Sequence, residues 1–273
     1  MIDLHSHTTA SDGEHAPAEL LRRAAAAGVK TLAVTDHDTV QGLAAAQAAA
    51  SAHGVRLVPG IEISADLNGR EIHVLGHFLD PASPHLLGLQ TVMKKERRTR
   101  MERMVAQLAA TGIAVTMEAV LAVAGEASIG RPHLARVLVQ RGAAVSVKDA
   151  FDRFLGFGKP GYVERQRMSA GEAIELCRIA GGTATIAHPG VSKVSRAELG
   201  ALAELGLAGV EANHADHVPS QAAAYARWAA ELGLVATAGS DYHGETVSPG
   251  RKLGERSMTQ TALDALQARR VKT

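Results

Sequence analysis

The sequence predicts an α/β protein with a parallel sheet or barrel, into which a block of helices is inserted. Three observations predict this class. Short β-type runs alternate with Ala-rich helical stretches towards both ends of the chain, the rhythm of repeated βα units. Gly28, Gly54, Gly206 and Gly233 each fall just past a helical run, where a left-handed cap favours glycine. Residues from about 86 to 165 lack strong strand signals and read as helices alone.

Taken in order, strands are predicted at Ile2 to His5, Thr31 to Thr35, Val55 to Pro59 and Glu71 to Leu79, with helices at Pro17 to Ala27 and Thr39 to His53. The middle block holds helices at Leu86 to Ala110, Met117 to Ala124, Arg131 to Arg141 and Val147 to Leu155. The alternation then returns. Helices at Ser169 to Ala180, Arg196 to Leu205 and Ser220 to Leu232 are interleaved with strands at Thr183 to Ala187, Gly209 to Ala212 and Val235 to Ala238. No internal repeat or proline-rich linker divides the chain.

Composition narrows the class of function. The 273 residues are 46% hydrophobic and 21% charged, enough for a real core and contrary to disorder. The lone cysteine, Cys177, cannot form an internal disulfide, and neither an export signal nor a membrane span is visible, so a cytoplasmic location is expected. Thirteen histidines against eight aromatic residues is the anomaly that needs a cause. Charge is uneven as well: residues 91 to 167 hold 14 Lys and Arg against 7 Asp and Glu, beside an acidic remainder. A solvated helix face accounts for the densest run, Lys94 to Arg103, whereas a segment leaning over an anionic substrate accounts for the whole excess.

The histidines gather at strand ends. His5 and His7 lie two apart at the end of the first strand, so both imidazoles face one side while Ser6 faces the other. Asp12, in Ala10-Ser11-Asp12-Gly13, occupies a turn able to return a carboxylate over that strand end, although an N-cap or Asx-turn role would also explain it. Thr35-Asp36-His37, Gly60-Ile61-Glu62, Glu71-Ile72-His73, His188-Pro189-Gly190, Glu211-Ala212-Asn213-His214 and Asp241-Tyr242-His243 follow in successive units. A backbone-satisfied core histidine would explain any one of them. Their recurrence points to a metal site on the face where parallel strands present their carboxyl ends.

This set resembles the PHP (polymerase and histidinol phosphatase) superfamily in order and spacing. The resemblance implies a distorted (β/α)7 barrel made from residues 1–85 and 166–273, with a helical insertion at 86–165 forming a basic lid, a trinuclear metal centre and phosphoesterase activity. Carried over residue by residue, it implies one ion on His5, His7, Glu62 and Asp241, a second on Glu62, His73 and His188, and a third on Asp12, His37 and His243. Glu62 would bridge the first two. Six imidazoles and three carboxylates without thiolates suit divalent Mn²⁺, Fe²⁺ or Zn²⁺, at two or three ions per chain with Mn²⁺ foremost. Such a centre attracts phosphate and activates water, so Glu62 and Asp241 are expected at the reacting phosphate.

Gly130-Arg131-Pro132-His133 and Glu211 to His214 resemble one branch of that superfamily, the nucleoside 3′,5′-bisphosphate phosphatases and 5′-to-3′ exoribonucleases of short RNA. This implies a substrate such as 3′-phosphoadenosine 5′-phosphate, with Arg131, His133, Asn213 and His214 as substrate contacts and no protein partner or membrane. His214 is also the candidate proton donor, with His217 as its substitute. Gly130 to His133 has a plainer reading as a helix start, which needs neither Arg131 nor His133. Two other functions compete. A histidinol-phosphate phosphatase would use the same chemistry without needing a second cationic subsite. A metal-stabilised nucleic-acid-binding module is disfavoured by the scarcity of aromatics and by an open, multinuclear donor set.

Overall fold

The computed structural model describes residues 1–125, 129–164 and 167–271, which fall into two compact units, Met1–Leu89 with Arg167–Thr273 and Gln90–Gln166. In the first unit the chain runs β1 (Ile2–Asp3), α1 (Pro17–Ala26), β2 (Thr31–Val34), α2 (Leu43–His53), β3 (Arg56–Leu67) and β4 (Arg70–His77). After the second unit it continues with β5 (Met168–Ser169), α7 (Ala170–Ile179), β6 (Thr183–Ile186), α8 (Arg196–Glu204), β7 (Gly209–His214), α9 (Pro219–Glu231), β8 (Val235–Gly239) and α10 (Gln260–Gln267). Among the described helices, none is long and apolar enough to cross a membrane.

The strands form one sheet in the order β1-β2-β3-β4-β6-β7-β8, with β5 paired to β3. It is nearly closed on itself: beyond the ends of β1 and β8, His7 N donates to Tyr242 O at 2.9 Å and Asp241 N to His5 O at 2.9 Å. β2 and β6 are buried at every position, as strands covered on both faces must be. Leu4, Val58, Phe78, Val235, Leu263 and Leu266 pack into one core cluster between sheet and α10.

Two expectations need correction. The sheet is mixed, because β4 runs antiparallel to both β3 and β6. Its cause is the pair Asn68-Gly69, both at positive φ (55° and 79°), a two-residue turn that reverses the chain directly and needs no crossover helix. The third strand also extends from Arg56 to Leu67, well past Pro59, so Glu62 lies within a strand of this hairpin rather than at a strand end, whereas His73 lies within the fourth strand as expected. The short β5 and the helix α10, which is capped by the Thr259 hydroxyl, had no counterpart in the sequence reading.

The second unit is helical. α3 (Pro84–Ala110) leads into it, followed by α4 (Met117–Ala124), α5 (Arg131–Gln140) and α6 (Val147–Ala150), which continues as a π-helical turn over Phe151–Leu155. Met104, Leu108, Val120, Leu134, Leu138 and Leu155 form its own buried core.

Candidate metal centre

Glu62 is the centre of the site. It is almost fully buried, and five imidazoles surround its carboxylate. Oε2 lies 3.4 Å from His5 Nε2, 3.1 Å from His7 Nε2 and 3.0 Å from His37 Nδ1. Oε1 lies 2.7 Å from His73 Nδ1 and 3.1 Å from His188 Nε2. The hairpin explains the His73 contact, since Ser64 pairs with His73 and Glu62 with Leu75, which sets the His73 ring diagonally across from Glu62. His37 reaches the same place through an isolated bridge between its own backbone and that of Glu62.

Asp241 brings the second carboxylate. Its Oδ1 lies 3.2 Å from both His5 Nε2 and His7 Nε2, and 3.5 Å from His243 Nδ1. Asp12 brings the third, with Oδ1 3.4 Å from His243 Nε2 and Oδ2 3.8 Å from His37 Nε2. The loop after β1 turns Asp12 back in this way because Asp36 gathers it, accepting from Thr8 N (2.8 Å), Thr8 Oγ1 (2.7 Å) and Ser11 Oγ (2.6 Å). Gly13 allows the fold-back: a Cβ there would stand 2.6 Å from His7 O.

The nine sequence-predicted ligands are therefore adjacent. Their donor atoms form overlapping groups: His5, His7, Glu62 and Asp241; His7, Asp12, His37 and His243; and His37, Glu62 and His73, with His188 on Glu62. His188 and Asp241 hold their places with backbone in the positive-φ region (26° and 51°), a conformation costly for residues other than glycine and found where a site demands it.

The donor set fits divalent cations. Among the described residues, His5 Nε2, His7 Nε2, Asp12 Oδ1, His37 Nδ1 and Glu62 Oε2 are buried without a hydrogen-bond partner, although they face one another at contact distance. Buried polar atoms without partners are expensive, and opposed lone pairs repel, so a positive charge among them answers both costs. The electrostatics point the same way. Burial by itself would raise the acids of Glu62 and Asp241, but the surrounding imidazoles hold both well below the usual carboxylate range. Burial likewise opposes charge on His7 and His73, yet the neighbouring carboxylates raise both to about 10. At His7 and His73 the carboxylates outweigh burial, whereas at His37 burial dominates and pushes the imidazole down to about 4; metal ions compete with protons for the same nitrogens.

The PHP domain profile matches residues 3–167, more than half of the chain. This chain belongs to the PHP domain family. A 5′-3′ exoribonuclease of Haemophilus influenzae is 38% identical to it over 245 residues, which cover 88% of this chain and 89% of the relative. A 3′,5′-nucleoside bisphosphate phosphatase of Chromobacterium violaceum is 37% identical over 247 residues, covering 89% and 87%. A crystal structure from Bifidobacterium adolescentis, assigned as a metal-dependent phosphoesterase, superposes with a TM-score of 0.91 at 31% identity over 99% of this chain and 96% of that one. The nearly closed, barrel-like sheet thus matches the PHP-like phosphoesterase structures.

Around the PHP ligands, the remaining predicted residues divide. His214 stands beside the cluster, its Nδ1 accepting from Asp216 N at 3.1 Å and its Nε2 3.4 Å from Asp241 Oδ2. A bulge at Ala212 in β7 makes this possible, because it breaks the alternation and lets Glu211 and His214 face the same side. Asn213 instead donates to Ser257 O at 3.4 Å. His217 cannot substitute for His214: its Nε2 accepts from Gly190 N (3.0 Å) and its Nδ1 donates to Ala212 O (2.9 Å), so both nitrogens serve the backbone. In the helical unit, His133 is buried and its Nδ1 accepts from Gly130 N at 3.0 Å, so the helix start does use it, contrary to the sequence reading. Arg131 lies 5.6 Å over the Phe151 ring. That unit also contains a cavity of about 110 Å³ lined by Arg97, Arg100 and Arg103 with Glu96 and Glu164, arginines the sequence reading had grouped only as a charge run.

Glu211 is the residue the sequence reading passed over. It is fully buried, its oxygens lie 3.0 and 3.3 Å from His5 Nδ1, and it accepts from His188 N at 2.7 Å. The sequence signal for it is its place in the Glu211 to His214 strand end.

Proposed function

We propose that the protein is a metal-dependent phosphoesterase that removes the 3′-phosphate of nucleoside 3′,5′-bisphosphates to give nucleoside 5′-monophosphates. Exonucleolytic cleavage of short RNA from the 5′ end is the diester form of the same chemistry. The observation that carries this reading is Glu62 among five imidazoles, with Asp12 and Asp241 completing a ring of donors. His5, His7, Glu62 and Asp241 would hold one divalent ion, Glu62, His73 and His188 a second, and Asp12, His37 and His243 a third. Ions held there supply Lewis acidity, lowering the pKa of water and neutralising phosphoryl oxygens.

The chain's own residues set the rest of the chemistry. Because His214 Nδ1 accepts the Asp216 N–H, a neutral His214 carries its proton on Nε2, which faces the cluster beside Asp241. That N–H gives a hydrogen bond to a phosphoryl oxygen or to the departing ribose 3′-oxygen, whose proton comes from water, because a neutral imidazole does not give up its own. The phosphate that is not cleaved calls for separate cations, for which the charge of residues 91 to 167 makes Arg131 the first candidate. The relatives named as a bisphosphate phosphatase and an exoribonuclease, both near the same level of identity, support a nucleotide substrate over histidinol phosphate.

The test is phosphate release by Mn²⁺-loaded protein from 3′-phosphoadenosine 5′-phosphate and from histidinol phosphate, followed by digestion of a short 5′-phosphorylated RNA. Faster turnover of the bisphosphate with the 5′-monophosphate as product is expected. Turnover of histidinol phosphate alone would overturn the assignment.

A further inference from the structure

We infer that Glu211 is a positioning residue that makes the metal centre by fixing His5 and His188 from behind. The inference rests on the metal reading above and concerns no substrate contact.

A carboxylate only accepts, so the proton between Glu211 and His5 belongs to His5 Nδ1, at 3.0 and 3.3 Å from the two oxygens. His5 is thereby locked in the tautomer whose Nε2 has a lone pair, and that nitrogen faces Glu62 Oε2 and Asp241 Oδ1. The same carboxylate accepts the His188 backbone N–H at 2.7 Å. That bond holds a residue with φ of 26°, a conformation the chain would otherwise leave, and so presents His188 Nε2 to Glu62 Oε1. One buried side chain on β7 thus governs a ligand following β1 and another following β6.

Reaching His5 requires Glu211 to cross β8, which lies between β7 and β1. The crossing passes Gly239. A Cβ at 239 would stand 2.7 Å from Glu211 Oε1 and 2.3 Å from His5 Cβ, so glycine leaves the passage open. Every oxygen of Glu211 is committed to these two partners, which is the arrangement expected of a carboxylate that orients a ligand imidazole rather than one that binds substrate.

The experiment is Mn²⁺ titration by calorimetry, with thermal denaturation of the metal-free protein measured in parallel. In Glu211→Gln, the amide can satisfy His188 N–H only by turning its NH₂ towards His5 Nδ1, which drives the His5 proton to Nε2. A loss of about 10- to 100-fold in Mn²⁺ affinity is expected, with the metal-free melting temperature little changed. Glu211→Asp keeps the charge and should recover part of the loss. Leu202→Ala, in the buried face of α8 and outside the site, should lower the melting temperature without changing Mn²⁺ affinity. Unaltered Mn²⁺ binding by Glu211→Gln overturns the inference, as does a loss of binding that merely tracks the melting temperature. If both Glu211 variants fail to fold, Glu211 belongs to the fold and the inference is equally overturned. Normal Mn²⁺ binding without bisphosphate turnover in the unsubstituted protein would count against the proposed substrate and not against Glu211.

Discussion

Arg251 grips Asp241 at two points: Nη1 donates to the Asp241 carbonyl oxygen at 2.9 Å and also to its carboxylate Oδ2, while Nη2 donates to Asp216 Oδ2 at 2.6 Å. The backbone contact sits on a residue with φ of 51°, and the carboxylate contact leaves Oδ1 to face His5 and His7. Arg251→Ala should therefore weaken metal binding and stability together, by about 1.5 to 3 kcal/mol in stability, the size of hydrogen bonds to charged groups. Arg251→Lys should restore little, because one ammonium cannot reproduce a planar fork. Metal titration and denaturant unfolding of both variants check this, and an Arg251→Ala protein as stable as the parent would refute it.

Gly239→Ala should abolish the metal centre or the fold around it. The added Cβ would meet His5 Cβ at 2.3 Å, Glu211 Oε1 at 2.7 Å and His5 N at 2.8 Å, none of which is a flexible chain end that could move aside. Gly200 provides the contrast. It lies inside α8, where the nearest atom to an added Cβ is Leu232 Cδ2 at 3.6 Å. Gly200→Ala should be neutral or stabilise by about 0.5 to 1 kcal/mol. Melting temperatures of the two variants should move in opposite directions.

Much of the centre is legible in the sequence because ligand spacing follows local geometry: His5 and His7 share a strand face, and Asp12 follows in a turn short enough to fold back. The β3–β4 hairpin was less legible. Asn68-Gly69 is a strong two-residue turn signal, but the rhythm of βα units elsewhere points to a parallel sheet, and ending the third strand at Pro59 places Glu62 at a strand end. Glu211 was illegible for a different reason. Its partners, His5 and His188, are 206 and 23 residues away, and the contact to His5 exists only because a glycine opens the intervening strand. His133 shows the reverse error, since a residue that looked surplus to a helix start accepts the backbone N–H of the capping residue Gly130.

Cys177 should be chemically silent in the native protein. It is fully buried, and burial pushes its thiol up to about 12, so almost no thiolate forms near neutral pH. A thiol-disulfide reagent should label it only on unfolding. The linkage has a definite sign. Between pH 9 and pH 12 the unfolded chain has lost the Cys177 proton and the native protein has kept it, so stability falls as pH rises. Relative to Cys177→Ala, the unsubstituted protein should lose stability by roughly 1.4 kcal/mol per pH unit through that window. Parallel pH slopes for the two proteins would show that the thiol does not titrate as described.

Glu62→Gln should be the most damaging conservative change at the site. The amide removes one negative charge from among five imidazoles and can no longer serve two ions equally. Activity should fall by more than about 100-fold, beyond what the loss of a residue behind a ligand costs, and Mn²⁺ stoichiometry should drop. Circular dichroism should remain that of the parent, because the side chain keeps its shape. Full turnover in this variant would remove Glu62 from the centre.

Arg131 tests the proposal of a second phosphate. The reacting phosphate is matched by the ions that Glu62 and its neighbours would hold, so the net positive charge of residues 91 to 167 is left for another anion. Arg131 is the first residue of α5, half-buried, with its guanidinium over Phe151 and, among the described residues, no carboxylate partner. A planar, permanently charged fork grips phosphate through two hydrogen bonds. Binding energy gained there orients the scissile group, so its loss lowers catalysis as well as affinity. Arg131→Ala should cost about 2 to 3 kcal/mol in kcat/KM on a 3′,5′-bisphosphate, or roughly 30- to 150-fold. On a 3′-monophosphate, which lacks the group to be held, the cost should nearly vanish. Equal losses on both substrates would place Arg131 at the reacting phosphate or in the fold. No loss on either would leave it a helix-start residue, and the arginines at the 110 Å³ cavity, Arg97, Arg100 and Arg103, would then be the next to substitute.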